Sequence, residues 1–135
     1  MPALTADKMM RIVAAVPEVR LAAAEKLSGI TPLLDCRLLD KLTAQGVFSA
    51  SVVYVGCEPL YVVWWHKTVD GGLHLNAVVQ TGSASDLPAL VKAAESLAVR
   101  NGRNYVRFNT RRPGLVVRAQ EWGYTAESIT LVKHL

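Results

Sequence analysis

The stretch LHLNAVVQTGSASDLPALVKAAESLAVRNG, Leu73 to Gly102, decides how this chain is organised. Its first part, LHLNAVVQ, is rich in apolar residues and predicts a strand. The loop TGSAS leads into a predicted helix from Asp86 to Asn101, whose apolar residues recur at a spacing of about 3.6 residues. The strand RNYVRFNT follows the helix. Because a strand–helix–strand unit places its strands side by side and parallel, we expect a parallel pair between Leu73 and Thr110.

Two further strands are predicted before this unit. VFSASVVYV and LYVVWWHKTV are rich in β-branched and aromatic residues, and the short turns GCEP and DGG join them to each other and to LHLNAVVQ. Short turns favour antiparallel neighbours. Trp64 and Trp65 are adjacent in the second strand and therefore face opposite sides of the sheet. Either both are buried under helices, or one of them anchors a partner.

The first 46 residues are predicted to be helical. LTADKMMRIVAAV has Thr5 as a candidate N-cap, PEVRLAAAEKL begins at a proline, and LLDCRLLDKLTAQ ends before Gly46. A short helix, PGLVVRAQEW, and a last strand, ESITLVKHL, complete the order. This order predicts an α+β fold with a mixed, mostly antiparallel sheet flanked by helices. We expect one domain over residues 1–135, with a helical part at 1–46 and the sheet and crossover helix at 47–135.

The composition is that of a folded protein without membrane segments. Apolar residues make up 51% of the 135 residues, enough for a hydrophobic core. No apolar run suits a signal peptide or reaches the roughly 20 residues of a spanning helix, so we expect a cytoplasmic or otherwise intracellular protein, or one inside a virion. Cys36 and Cys57 lack metal-ligand spacing and are expected to be buried thiols in a reducing compartment, with a reactive thiol as the alternative. The three histidines stand apart from carboxylates, and no metal site is expected.

Positive charge is concentrated late in the chain. The net charge is +4, and the segment from Arg100 onward holds seven basic and two acidic residues. Arg103 and Arg107 lie on one face of a predicted strand with a tyrosine between them, and Arg111 and Arg112 follow. Arginines interleaved with an aromatic residue contact phosphates in nucleic-acid-binding proteins. A charged strand face that is merely solvated is the more frequent alternative.

The second half of the chain resembles the GNAT superfamily of acyl-CoA-dependent N-acetyltransferases. The resemblance rests on HLNAVVQ, the helix ending in AVRNG, the strand YVRFNT and the closing stretch GLVVRAQEWGYTAESITLVKHL, and it covers residues 47–135. In that family the loop after the central strand follows Gln/Arg-x-x-Gly-x-Gly/Ala, and its amides hold the pyrophosphate of coenzyme A at a helix N-terminus. The cofactor-binding residues that the resemblance implies are Val78 and Gln80 for the pantetheine arm, and Gly82, Ser83, Ala84 and Ser85 for the pyrophosphate.

This loop departs from the family pattern in a way that disfavours cofactor binding. Ser83 and Ser85 stand where the two small residues belong, and Ser83-x-x-Asp86 has the spacing of a capping box. A carboxylate at Asp86 would repel a diphosphate and compete for the same amides. No Lys or Arg lies between Lys67 and Lys92 to offset it. Phosphate binding and a self-capped helix start are the two alternatives, and the second is favoured.

The implied catalytic residues are also incomplete. In many family members a tyrosine four residues before the Gly-aromatic pair protonates the leaving thiolate, but this chain has Ala119 there. Tyr124, the aromatic of the pair, is expected to be packed. His74 is a candidate general base, and strand alternation places it on one face with Asn76 and Val78. A solvated histidine is the favoured alternative.

Three functional hypotheses follow. The first is a GNAT-fold protein with an eroded acetyl-CoA site and no cofactor, which acts by contact with a protein partner or a second copy. The resemblance implies such a role for small accessory and virion proteins of phages. The second is an active N-acetyltransferase that uses acetyl-CoA. The third is a nucleic-acid binder acting through Arg103, Arg107, Arg111 and Arg112.

Overall fold

A five-stranded sheet with the tryptophan-containing strand at its centre organises the described part of the chain. The structure is a computed structural model that describes residues 9–28, 36–110, 113–126 and 133–134. The elements in chain order are β1 Met10–Ala14, α1 Pro17–Ser28, α2 Cys36–Ala44, β2 Ser49–Val55, β3 Glu58–Lys67, β4 Leu73–Gln80, α3 Leu87–Arg100, β5 Val106–Phe108 and α4 Pro113–Glu121.

The strands follow one another across the sheet in sequence order. β1, β2, β3 and β4 pair antiparallel, and β4 pairs parallel with β5. The helix α3 connects the parallel pair, in which Leu73–Leu75 lies beside Val106–Phe108. The predicted α+β class, the antiparallel meander and the parallel pair are therefore confirmed. The predicted last strand, residues 127–135, falls almost entirely outside the described residues.

The two adjacent tryptophans place one hydrophobic core on each side of the sheet. Trp65 packs with Leu97 and other residues of α3, and its indole N–H donates to the Ser51 hydroxyl over 3.0 Å. Trp64 is fully buried on the other side, with Ala24 of α1 and Leu39 of α2. Both rings are core residues, so the alternative of an exposed interface anchor is wrong.

The first predicted helix is replaced by an edge strand. β1 pairs with β2 from Met10 opposite Val55 to Ala14 opposite Ser51. Met10 and Ile12 both pack into the core on the α3 side of the sheet. The apolar spacing that indicated a helix is overridden because pairing with β2 satisfies the backbone and buries Ile12. The candidate cap Thr5 lies outside the described residues, and the next two predicted helices correspond to α1 and α2.

A bulge in β4 changes which side chains face which core. Trp65 pairs with Leu75 and Trp64 with Ala77, so Asn76 is an extra residue without a partner on β3. Because alternation restarts after the extra residue, Val78 packs with Leu75 on the α3 side. The predicted alternation, which grouped Val78 with His74 and Asn76, is wrong for this reason.

Two further expectations concern the surface of the protein. None of the described helices is long and apolar enough to cross a membrane. Cys57 lies in the turn between β2 and β3 and is exposed, so the prediction that it is buried is wrong. The side chain of Cys36 lies outside what the structure describes.

A hydrogen-bonded clamp holds the β3–β4 turn against the start of β5. Arg103 donates to the carbonyls of Thr68 and Gly72, the latter over 2.9 Å. The Tyr105 hydroxyl donates to the Asp70 carboxylate, which also accepts from the Thr68 hydroxyl. The hydrogen bond from Thr68, followed by that from Tyr105, lowers the pKa of the Asp70 carboxyl. Arg103, predicted as part of a basic surface, is therefore committed to holding a turn.

Gly72 provides a test of this clamp. A Cβ there would lie 2.1 Å from two ring carbons of Tyr105, whereas a Cβ at Gly114 would meet no atom within 4 Å. We expect Gly72→Ala to lower the free energy of unfolding by about 1–3 kcal/mol through overpacking. Gly114→Ala, in the first turn of α4, is the control and should raise it by about 0.4–1 kcal/mol. Urea unfolding measures both, and equal stabilities would contradict the clamp.

Candidate functional site

The loop that follows β4 folds back onto β3. The amides of Thr81 and Gly82 both donate to the Leu60 carbonyl, over 2.7 and 3.2 Å. Leu60 is an extra residue of β3 relative to β2. A Cβ at Gly82 would lie 2.5 Å from the Leu60 Cδ2 and 3.2 Å from its Cα. A side chain at position 82 would therefore crowd Leu60, so packing of the loop against β3 favours glycine there whether or not a ligand binds.

A carboxylate from β3 occupies the next donors of the loop. Both the amide and the hydroxyl of Ser83 donate to Glu58 Oε1, each over 2.9 Å. The bond from the Ser83 amide, followed by the bond from its hydroxyl, lowers the pKa of the Glu58 carboxyl. Ser83 was predicted to cap the helix, which is wrong. Its partner Glu58 lies 25 residues earlier in the chain, which is why loop spacing did not reveal it.

The start of α3 is closed by Asp86 itself. Asp86 is the N-cap, and its carboxylate accepts from the Ala89 amide over 3.1 Å. Its own amide donates to the hydroxyl of Tyr61 on β3 over 2.8 Å, and that hydroxyl lies 3.2 Å from the Ser85 Oγ. Within the described residues, the amides of Ala84 and Ser85 have no hydrogen-bond partner. Most, but not all, of the hydrogen-bond donors around the helix start are therefore paired within the protein.

Lys26 brings a positive charge to the loop from α1. Its Nζ donates to the Gln80 carbonyl over 2.7 Å, although the two residues are 54 positions apart. The positions that neighbour the loop in the sequence give no sign of this cation. An open groove of about 410 Å³ lies beside the contact; its lining residues are Glu18, Val19, Ala22, Ala23, Lys26 and Thr81.

β5 covers only the first part of the outer edge of β4. β5 pairs only with Leu73–Leu75, so residues 76–80 have no strand partner on that side among the described residues. The predicted pantetheine residues Val78 and Gln80 lie on this stretch. The Val78 side chain packs into the core on the α3 side, so only its backbone faces the open edge. A ligand with amide groups has unpaired backbone to bind there.

At the opposite end of β4, His74 is part of a polar cluster. Arg107 Nε donates to His74 Nδ1 over 3.2 Å. A guanidinium has no acceptor atom, so this nitrogen of His74 must be the acceptor, and the neutral ring carries its proton on Nε2. Burial, then the charges of Arg107 and His66, lower the pKa of His74. The nitrogen that would take a proton from an amine is therefore already hydrogen-bonded.

His66 and Asn76 complete this cluster. The rings of His66 and His74 are 5.3 Å apart, and His66 Nδ1 lies 2.9 Å from the Asn76 Nδ2. His66 is half-buried and in contact with the Phe48 ring at 5.7 Å. Asn76 reaches His66 because it is the extra residue of the β4 bulge.

The place of the family's catalytic tyrosine holds no acidic side chain. Ala119 is buried in α4, and its carbonyl accepts from the amides of Trp122 and Tyr124. Tyr124 packs edge-on against Phe108 with ring centroids 5.5 Å apart, as its predicted packing requires. Burial, then the charge of Glu95, raises the pKa of Tyr124. A phenol with a raised pKa gives up its proton less readily than a free tyrosine.

The predicted nucleic-acid surface is only partly described. Arg103 is engaged in the clamp and Arg107 contacts His74, while Arg111 and Arg112 lie outside the described residues. Nucleic-acid binding therefore remains a prediction. Among the described residues, no group of three or more His, Cys, Asp or Glu side chains is placed to hold a metal ion.

Comparison with known proteins bears on the fold. No protein-family model matches the sequence, and no curated protein matches it. Among solved structures, a GCN5-related N-acetyltransferase from Ralstonia eutropha JMP134 has a TM-score of 0.66 at 12% identity, over 93% of this chain and 99% of that one. The ribosomal-protein-alanine N-acetyltransferase of Brucella melitensis biovar Abortus 2308 has a TM-score of 0.63 at 13% identity, over 94% and 99%.

A third structure was solved with the cofactor. It is a predicted acetyltransferase from Clostridium acetobutylicum with acetyl-CoA, with a TM-score of 0.59 at 10% identity over 93% of this chain and 96% of that one. Likenesses at such low identity establish architecture alone. The chain has a GNAT-like fold, as its sequence resemblance implied.

The His74 cluster yields a prediction about pH. Because the pKa of His74 is below its ordinary value of 6.5, the unfolded chain binds this proton more readily than the folded one. The stability that His74 contributes is therefore present above pH 6.5 and is lost as the pH falls through the folded pKa. Arg107→Gln removes one cause of the shift, so the pKa should rise but stay below 6.5, because burial remains.

Side-chain NMR of His74 as a function of pH measures this effect. Arg118→Gln removes the same charge from an exposed position on α4 and is the matched control, which should leave the titration unchanged. A His74 pKa that is the same in the Arg107→Gln variant and the wild type would show that the contact between Arg107 and His74 is absent.

Proposed function

We propose that this GNAT-fold protein is not catalytic and acts by contact with a protein partner or a second copy of itself. The observation that carries the proposal is the contact between Glu58 and Ser83, in which a carboxylate of the protein takes the amide that the family pattern assigns to a phosphate. The accessory and virion roles that the resemblance implies for phage proteins are compatible with this function.

The charge of the loop supports the proposal. A diphosphate entering between Gly82 and Asp86 would have to displace Glu58 from two hydrogen bonds. It would also approach the Asp86 carboxylate, which already caps α3. Lys26 compensates in part, but its ammonium is held at the Gln80 carbonyl. Two like charges with one fixed counter-charge make this loop unfavourable for a polyanion.

The side chains available for acid and base catalysis also support the proposal that the protein is not catalytic. General acid catalysis needs a proton donor near the leaving thiolate, and Ala119 cannot supply one. General base catalysis needs a free lone pair, and Nδ1 of His74 already accepts from Arg107. A contact function requires neither group.

An active N-acetyltransferase is the second candidate, and the open edge of β4 favours it. The backbone at residues 76–80 is free of strand pairing on one side within the described part of the chain, and the amides of Ala84 and Ser85 are unpaired there too. In this alternative, Val78 and Gln80 align the pantetheine arm, Gly82 to Ser85 hold the pyrophosphate, and water or His74 serves as the base.

Thermal unfolding with and without acetyl-CoA separates the two candidates. A ligand at 100 times its Kd stabilises a folded protein by about 2.7 kcal/mol, which is several degrees for a domain of this size. We expect no change of Tm for the wild type at millimolar acetyl-CoA. A shift of several degrees, together with release of free thiol when an amine is added, would support the enzyme and overturn the proposal.

A double variant tests whether the two carboxylates are the cause. Glu58→Ala frees the Ser83 amide, and Asp86→Ser removes the second charge while keeping a residue that caps helices. We expect the double variant to gain a Tm shift with acetyl-CoA. Glu121→Ala, an exposed acid on α4, is the control for loss of charge and should gain none. If neither gains a shift, the carboxylates do not block the loop.

A further inference from the structure

Arg107 is a half-buried cation that makes no ion pair with any described residue, although its charge is one of the causes that lower the pKa of Asp70. Among the described residues the structure contains one ion pair, Arg20 with Asp40, and Arg107 makes none. Its Nε is directed at His74 Nδ1, which fixes the plane of the guanidinium. The Nη1 and Nη2 groups at the end of the side chain make no hydrogen bond to the described residues. These are the two donors that bind a carboxylate end-on.

The neighbours of Arg107 add further donors. His66 pairs with His74 on the adjacent strand, and His74 pairs with Arg107 on the next, so the three side chains form a row across β3, β4 and β5. The ring centroids of His66 and His74 are 5.3 Å apart, and Arg107 Nε lies 3.2 Å from His74 Nδ1. Because His74 Nδ1 is an acceptor, its Nε2 carries a proton and is a second donor. Asn76 lies beside the row through its contact with His66.

We propose that this row, His66, His74 and Arg107, is a binding site for a carboxylate. The Nη groups of Arg107 would hold the two oxygens, and the Nε2–H of His74 would be an additional donor. The ligand is a small carboxylic acid or the C-terminus of a peptide, since both offer the same planar group. This site lies at the opposite end of β4 from the cofactor loop, so it does not depend on the proposed function.

Charge balance favours a carboxylate over a phosphate. With the imidazole of His74 neutral, the guanidinium of Arg107 supplies one positive charge at the site, which matches one monoanion. A phosphate dianion would need a second cation, and the charge of Arg107 is already partly directed towards Asp70, whose pKa it lowers. The flat, two-oxygen shape of a carboxylate also fits the end-on geometry of a guanidinium.

Binding should be coupled to the titration of His74. The charged groups that act on His74 are Arg107 and His66, and both disfavour its protonated form. A bound carboxylate offsets the charge of Arg107, so it should raise the pKa of His74. By linkage, the carboxylate should bind more tightly as the pH falls towards the pKa of His74.

The test is an NMR titration of the full chain with acetate, observed at the imidazoles of His74 and His66. Acetamide has the same shape without charge, and inorganic phosphate supplies the dianion. We expect acetate to shift both imidazoles saturably and to raise the pKa of His74, acetamide to have no effect, and phosphate to bind more weakly than acetate. A short peptide with a free or an amidated C-terminus distinguishes a peptide ligand from a small acid.

Variants of Arg107 complete the test. Arg107→Gln should weaken acetate binding by about tenfold or more, as loss of a bidentate charged pair does, while the exposed-charge control Arg118→Gln should bind as the wild type. Arg107→Lys keeps the positive charge but loses the paired Nη donors, so it should bind acetate more weakly than the wild type. This variant takes the place of Arg107→Gln in the test if Arg107→Gln does not fold. The proposal is overturned if acetate shifts neither imidazole, or if acetate binds equally to wild type, Arg107→Lys and Arg118→Gln.

Discussion

One extra residue in β4 decides which of the two cores the side chains of this strand enter. Trp65 pairs with Leu75 and Trp64 pairs with Ala77, which leaves Asn76 without a partner on β3. Side chains alternate along a strand, and an inserted residue therefore reverses the alternation beyond it. This reversal lets Leu75 and Val78 share the core under α3. It also leaves Asn76 free to reach His66.

The two ends of β4 have opposite electrostatic character. At its C-terminal end the loop is held to β3 by the Leu60 carbonyl, and the carboxylates of Glu58 and Asp86 take donors of the helix start. At its N-terminal end Arg107 lies beside two histidines and has no acidic partner among the described residues. Two carboxylates therefore lie at the end of β4 where the family pattern would place a phosphate, and the guanidinium of Arg107 lies at the other end of the same strand.

Packing and capping account for several residues of this GNAT-like fold that stand in the order of the family pattern. Gly82 is explained by its packing against Leu60, and Asp86 by its capping of α3. Tyr124 is explained by its edge-on contact with Phe108. Since packing and capping explain each of these residues, their presence in a family-like order is not by itself a sign of catalysis.

The amino-acid sequence by itself determined the order of the elements from the first turn of α1 to α4, and the parallel pair. These features depend on periodicity, turns and caps that act within a few residues. Only the tertiary structure decided that residues 10–14 form a strand, that Asn76 is a bulge, and that Glu58 and Lys26 reach the loop. The physical reason is that strand register and charge contacts depend on atoms that meet only in the folded chain, and local spacing carries no information about which atoms meet.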